Sequence, residues 1–191
     1  GYFDVTFDNV TFAQAGSAPT GHEDNGWAVS ATHVIGTVAP PTVPTTVTVT
    51  FRNGDYTNLD YVTPVRIDAL YRSGADGGNI TNCPNLHSKI VIDSGAHVST
   101  VYNRKGALGV GSSTVEVRGG TIDQYYGTAD NMTLTGDVNF VMTSGNVYGN
   151  SFHAAGNTVT INGDLNNTIS GGRIYVRPTV KYDGIYFGGR A

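Results

Sequence analysis

Apolar side chains recur along this chain at a fixed distance from a glycine. Three residues before Gly54, Gly74, Gly95, Gly120, Gly145 and Gly172 stand Phe51, Tyr71, Ile92, Val117, Met142 and Ile169. Five residues before the same glycines the column reads Val49, Ala69, Ile90, Val115, Phe140 and Asn167. Apolar positions two apart predict a short strand with one buried face. The glycine that follows predicts a corner, because it alone takes a positive φ without steric cost. The marks are 20, 21, 25, 25 and 27 residues apart, and self-similarity at that period predicts a chain that coils on itself. Two residues after the marks stand Tyr56, Asp76, His97, Ile122, Val147 and Ile174. That column is mostly of core type and is expected to point inward. His97 is its exception, read as a buried or rim histidine satisfied by a neighbour.

The C-terminal half carries the clearest pattern. KIVIDSGAHVSTVYN, STVEVRGGTIDQYYG, VNFVMTSGNVYGNSF and NNTISGGRIYV each combine a strand, a glycine turn and a second apolar stretch. GALGVG, MTLTGD and TVTINGD fit a third strand per turn. The expectation is an all-β chain, a right-handed parallel β-helix (β-solenoid) of about six to seven coils, a rod on the order of 30 Å long. Residues 1–45 are less regular: YFDVTFDNVTF alternates as a strand, AGSAPTGHEDNGW has loop composition, and VAPPTVPTTV holds prolines that cannot join a ladder from mid-strand. The reading is one domain over 1–191, with 1–45 as an N-terminal cap region and 46–191 as repeated coils. The start at Gly1 and the strand-like KYDGIYFGGRA at the end suggest a fragment of a longer protein.

Composition sharpens this picture. The chain has 191 residues, 26 of them Gly, with 14% charged residues and a net charge of −4. With no basic stripe, nucleic acid is not an expected partner. With no apolar run of about 18 residues, no membrane-inserting helix is expected either. Low charge suits stacked turns, since a charge repeated in each turn would face its copy at ~4.8 Å. The single cysteine, Cys83, allows no intrachain disulfide.

Candidate chemistry is sparse. The histidines His22, His33, His87, His97 and His153 form no HExxH or HxH motif, and the pair Cys83–His87 alone does not make a zinc site. GxSxG, P-loop and dinucleotide fingerprints are absent. No metal site is assigned, and calcium held by turn carboxylates and carbonyls is the one cofactor left open. For acid–base chemistry the candidates are Asp60 and Asp123 with His97 or His153. Asp55, Asp60 and Asp123 have no acidic partner at the same offset in the next turn. Aromatics are more suggestive. Tyr61, Tyr102 and Phe152 lie seven residues after their marks, with Tyr126 one offset away and Tyr125 and Tyr148 nearby. They form either a ladder of surface rings for sugar binding or an interior stack, with Phe152 favouring the interior. Trp27 is either a ligand platform or an anchor for its loop.

VEVRGGTIDQYYG followed by MTSGNVYGNSF resembles the repeats of bacterial secreted and cell-surface proteins of the right-handed parallel β-helix, pectin-lyase-like class, over about residues 46–190. The resemblance implies an extracellular or cell-surface location and a non-catalytic module for adhesion or glycan binding. Its partner would be a polysaccharide or a host-surface glycan, and the expected ligand residues are Tyr61, Tyr102, Tyr125, Tyr126, Tyr148 and Trp27. Polysaccharide lyases and glycoside hydrolases share that fold, but their paired Asp runs, GHG turn and RIK-like strand have no match here. A structural spacer of a surface stalk or phage fibre is the third expectation.

Overall fold

The computed structural model describes residues 1–13, 28–34, 41–67, 83–105, 109–128, 133–149, 152–155, 158–176 and 185–186. Among them there is no helix, and none long and apolar enough to cross a membrane. The strands are β1 (Tyr2–Asp8), β2 (Ala28–Val34), β3 (Thr45–Arg52), β4 (Tyr61–Ile67), β5 (Cys83–Asp93), β6 (His97–Lys105) and β7 (Gly109–Thr128), followed by β8 (Thr133–Gly149), β9 (Phe152–His153), β10 (Thr160–Asn162), β11 (Leu165–Ile169), β12 (Arg173–Val176) and β13 (Ile185–Tyr186).

These strands form one curled sheet in which every pairing is parallel. One run goes from β1 through β3, β5 and the first half of β7 to β8 and β11. The other goes from β2 through β4 and β6 to the second half of β7. The long strands β7 and β8 pass through the corner and so belong to both runs.

The columns ahead of the glycine marks are continuous across the first run. Val5, Val49, Ile90, Val115, Phe140 and Asn167 stand in register, as do Phe7, Phe51, Ile92, Val117, Met142 and Ile169. From Val49 to Phe140 and from Phe51 to Met142 these side chains are buried in one core with Val62, Val98, Val101 and Ile122 of the second run. Curling is what brings both runs onto the same core. Each fully buried side chain of this kind contributes roughly 1.5–3 kcal/mol.

Positive φ falls on Gly95, Gly145 and Gly172, but on Asn53 and Gly119 where the mark itself is Gly54 or Gly120. Gly145 shows why no larger residue fits: at φ +92°, an added Cβ would stand 2.3 Å from the Gly120 carbonyl oxygen.

The repeats are not all equal after the corner. Four steps separate Phe51 from Asp55, Val117 from Thr121, Met142 from Asn146 and Ile169 from Arg173, and these residues share registers. Between Ile92 and His97 there are five steps, and the ladder shifts at Asp93. This corrects the expected position of His97. The inward column is Tyr56, Val98, Ile122, Val147 and Ile174, and His97 stands one residue earlier on the outward side, beside Asp55 and Thr121.

On the outer face of the first run, charges meet opposites instead of copies of themselves. Arg52 bonds Asp93 at 3.1 Å, Lys89 bonds Glu116 at 2.9 Å and Arg118 reaches Glu116 at 3.2 Å. Neutral side chains bond along the stack, as where Asn166 Nδ2 donates to Asn139 Oδ1 at 2.9 Å. Among the described residues, one charge is buried without an opposite. Arg104 is fully buried, in register with Val65 and Thr128, and Nη2 donates to the Thr135 carbonyl at 2.8 Å. Its Nε and Nη1 have no hydrogen-bond partner.

Candidate functional site

The outward residues after the corners fall into two adjacent rows. The first is Asp55, His97, Thr121, Asn146 and Arg173, each in register with the next. The second lies two residues further along each strand and includes Asp123, Tyr148 and Tyr175, of which the two tyrosines are direct register partners. Strand alternation sets this arrangement: with Val98, Ile122, Val147 and Ile174 facing the core, the residues on either side of each face away from it.

Two of the acid–base candidates meet in these rows. His97 Nε2 and Asp123 Oδ1 are 2.9 Å apart, with side chains 44% and 41% exposed. Asp55 stands on the other side of His97 in register. Its Oδ1 accepts from the Thr57 hydroxyl at 2.6 Å and the Thr57 N–H at 3.0 Å. These bonds hold the Asp55 carboxyl below its usual range, and the nearby His97 lowers it further. The result is an imidazole on an open surface with a carboxylate bonded to one nitrogen, able to accept or donate a proton and to bond a hydroxyl. Asp60 is exposed ahead of β4, and no bond joins it to His97. His153 stands in β9 in register with Tyr126.

The tyrosines divide between the two faces. Tyr148 and Tyr175 stack with centroids 4.6 Å apart and planes 8° from parallel, and Arg173 Nη1 donates to the Tyr175 hydroxyl at 3.5 Å. Further along, Tyr102 stacks on Tyr126 at 4.9 Å and 18°, while Tyr61 meets Tyr102 edge-on at 5.7 Å and 87°. All three are half-buried. Tyr125 is a correction. It is fully buried, packed 4.4 Å from Phe140 and 4.9 Å from Phe152, and so cannot serve as a surface ligand ring. Burial pushes its phenol far above the ordinary value, and its hydroxyl accepts from Asn103 Nδ2 at 3.2 Å. Phe152, fully buried, takes the interior place its apolar ring favours. Trp27 lies outside the described residues.

Arg173, Tyr175 and Asn146 complete the rows without having been singled out by sequence. Their signal is the offset: Asn146 and Arg173 each follow a mark by one residue, and Asp123, Tyr148 and Tyr175 each follow one by three. Among the described residues, no group of three or more His, Cys, Asp or Glu side chains could hold a metal ion. Cys83 is buried, which raises its thiol pKa, and His87 Nδ1 is 2.9 Å from the Ser112 hydroxyl.

No family model, curated protein or solved structure matches the chain.

Proposed function

We propose that the curled sheet belongs to a right-handed parallel β-helix of about six to seven coils, spanning the chain as a single domain. It serves as a non-catalytic, extracellular glycan-binding or adhesion module of a bacterial surface protein. The observation that carries this reading is the strip formed by Asn146, Arg173, Tyr148 and Tyr175 beside the His97–Asp123 pair. Sugars present adjacent hydroxyls and apolar C–H edges, and the strip offers an amide, a guanidinium, a carboxylate and two phenols along one surface. Because Tyr148 and Tyr175 cover one face of each other, their hydroxyls and ring edges face the ligand. Hydrogen bonding thus dominates recognition, with the tyrosine edges adding apolar contact. The ligand is a polysaccharide or a cell-surface glycan.

Titration against plant, bacterial and mucin polysaccharides tests this. Arg173→Ala and Tyr148→Ala are expected to weaken binding at least about tenfold, the loss of one or two good hydrogen bonds or ring contacts. A panel without a ligand refutes the reading, and so does an affinity indifferent to both substitutions in variants that keep their circular dichroism.

The 2.9 Å contact of His97 with Asp123 supports a second reading, a glycan-cleaving lyase or hydrolase in which this pair moves the proton. It requires release of reducing ends or unsaturated products from a polysaccharide, abolished in His97→Ala. Inertness across the panel retires it.

A further inference from the structure

We infer that the glycan on this strip carries one acidic sugar beside neutral ones, its carboxylate seated on Arg173 and the neutral sugars lying toward Thr121. The inference rests on the glycan-binding reading above and adds the class of ligand. Cations elsewhere already have their partners or lie in the interior. Arg52 bonds Asp93, Lys89 and Arg118 both reach Glu116, and Arg104 is buried. Among the described side chains, Arg173 is the one exposed lysine or arginine head without a carboxylate, and its bond goes to a phenol.

That bond leaves the guanidinium open to an anion. Only Nη1 takes part, at 3.5 Å from the Tyr175 hydroxyl, so the planar fork keeps donors for a carboxylate. The Tyr175 oxygen accepts from Arg173 and retains its own proton, which lets both groups donate to one anion. Tyr148, stacked on Tyr175, fixes where that hydroxyl stands.

The charge then changes sign along the rows. From Arg173 the first row passes the neutral Asn146 and Thr121 before His97 and Asp55, and Asp123 lies beside it in the second row. Asp123 thus stands two strands from Arg173 and Asp55 four. Among the described residues neither carboxylate has a lysine or arginine: Asp123 meets His97, and Asp55 accepts from Thr57. A pyranose with its linkage spans about one strand spacing, ~4.8 Å, so a glycan along the rows sets successive sugars over successive strands. With one acid on Arg173, a polymer acidic at every sugar or every second sugar would bring another over Asp123, where like charges repel. One acidic sugar followed by two neutral ones meets the cation, then the amide of Asn146, then Thr121 and the His97–Asp123 pair, which bond hydroxyls.

Calorimetric titration of the 191-residue chain with trisaccharides of three charge patterns tests this. Sialyllactose has one carboxylate-bearing sugar before two neutral ones, galactosyllactose is neutral, and trigalacturonate is acidic throughout. Sialyllactose is expected to bind about tenfold more tightly than galactosyllactose, the gain from a charge-assisted bond, and more tightly than trigalacturonate. Arg173→Gln is expected to bring sialyllactose down to the affinity of galactosyllactose, and Arg173→Lys to keep part of the preference. Asp123→Asn keeps the shape and removes the charge, and is expected to raise the affinity for trigalacturonate but not for galactosyllactose. Equal affinities for sialyllactose and galactosyllactose overturn the inference and leave the glycan-binding reading standing. So does a preference for trigalacturonate, or a preference for sialyllactose that survives in Arg173→Gln. A chain that binds none of the three overturns it as well, and the wider polysaccharide panel then decides the reading beneath it.

Discussion

Replacing Arg104 by methionine should stabilise the protein, although it removes a hydrogen bond. The guanidinium is fully buried, only Nη2 is bonded, and no ion pair with a carboxylate accompanies it among the described residues. Burial pulls its pKa down to about 10, a displacement that corresponds to on the order of 3 kcal/mol against the folded state. Methionine keeps most of the aliphatic stem and fills the space adaptably. It leaves the Thr135 carbonyl without that donor, at a cost of about 1 kcal/mol. The net expectation is a gain of about 2 kcal/mol, within the range seen when buried charges give way to apolar groups.

In urea titrations the midpoint should rise with an unchanged slope, and the thermal midpoint should rise by about 4–8 °C. The gain should also shrink at high pH. The folded wild-type protein holds the Arg104 proton less tightly than the unfolded chain, so its stability climbs once the pH passes about 10. The methionine variant lacks that response. A variant less stable than wild type by more than about 1 kcal/mol would refute the reasoning, since it would mean the charge is well solvated or paired in place.

Three other outcomes follow from the same structure. Gly145→Ala should destabilise by at least about 2 kcal/mol, combining a positive φ with a Cβ driven into the Gly120 carbonyl; chemical denaturation reads it directly, and a neutral effect would show that the corner can relax. Asp93 is held below the usual carboxylate range by the Ser94 N–H and then by Arg52, so its contribution is present above that range and lost as the pH falls through its lowered value. Asp93→Asn should therefore lower neutral-pH stability by up to about 1 kcal/mol and flatten the acid limb of a pH–stability curve, and an unaltered limb counts against that assignment. Tyr125→Phe should leave glycan binding unchanged while costing roughly 1 kcal/mol for the lost bond to Asn103; altered binding without a stability change would contradict its interior placement.

The inward columns are legible in the sequence because the core fixes them. A one-residue slip at Phe51, Ile92, Val117 or Met142 would turn an apolar side chain to water, so their spacing from the corner is conserved from strand to strand within the sheet. Residues facing away from the core carry no such constraint. His97 is misplaced by a count from Gly95 because two steps lead from that glycine to the row, where one step does so from Gly54, Gly120, Gly145 and Gly172, and nothing in the letters DSGAH announces it. The same slip hides its meeting with Asp123. Tyr125 and Tyr126 are adjacent and chemically identical, and only the register with Val101 and Phe152 tells which is inside. Arg104 is the least legible, since in sequence it reads as a surface cation beside Lys105.

The parallel register also bears on how the chain acquires its structure. From β5 onward, bonds between neighbouring strands join residues separated by nearly constant lengths of chain: Lys89 to Glu116, His97 to Asp123, Asn139 to Asn166. Loop closure for each new strand therefore costs about the same, and completed strands present a template for the next. Structure can grow outward from any adjacent pair and keep pace with synthesis as residues leave the ribosome. Truncation between β8 and β10 should then remove the last layer and leave the earlier ones folded.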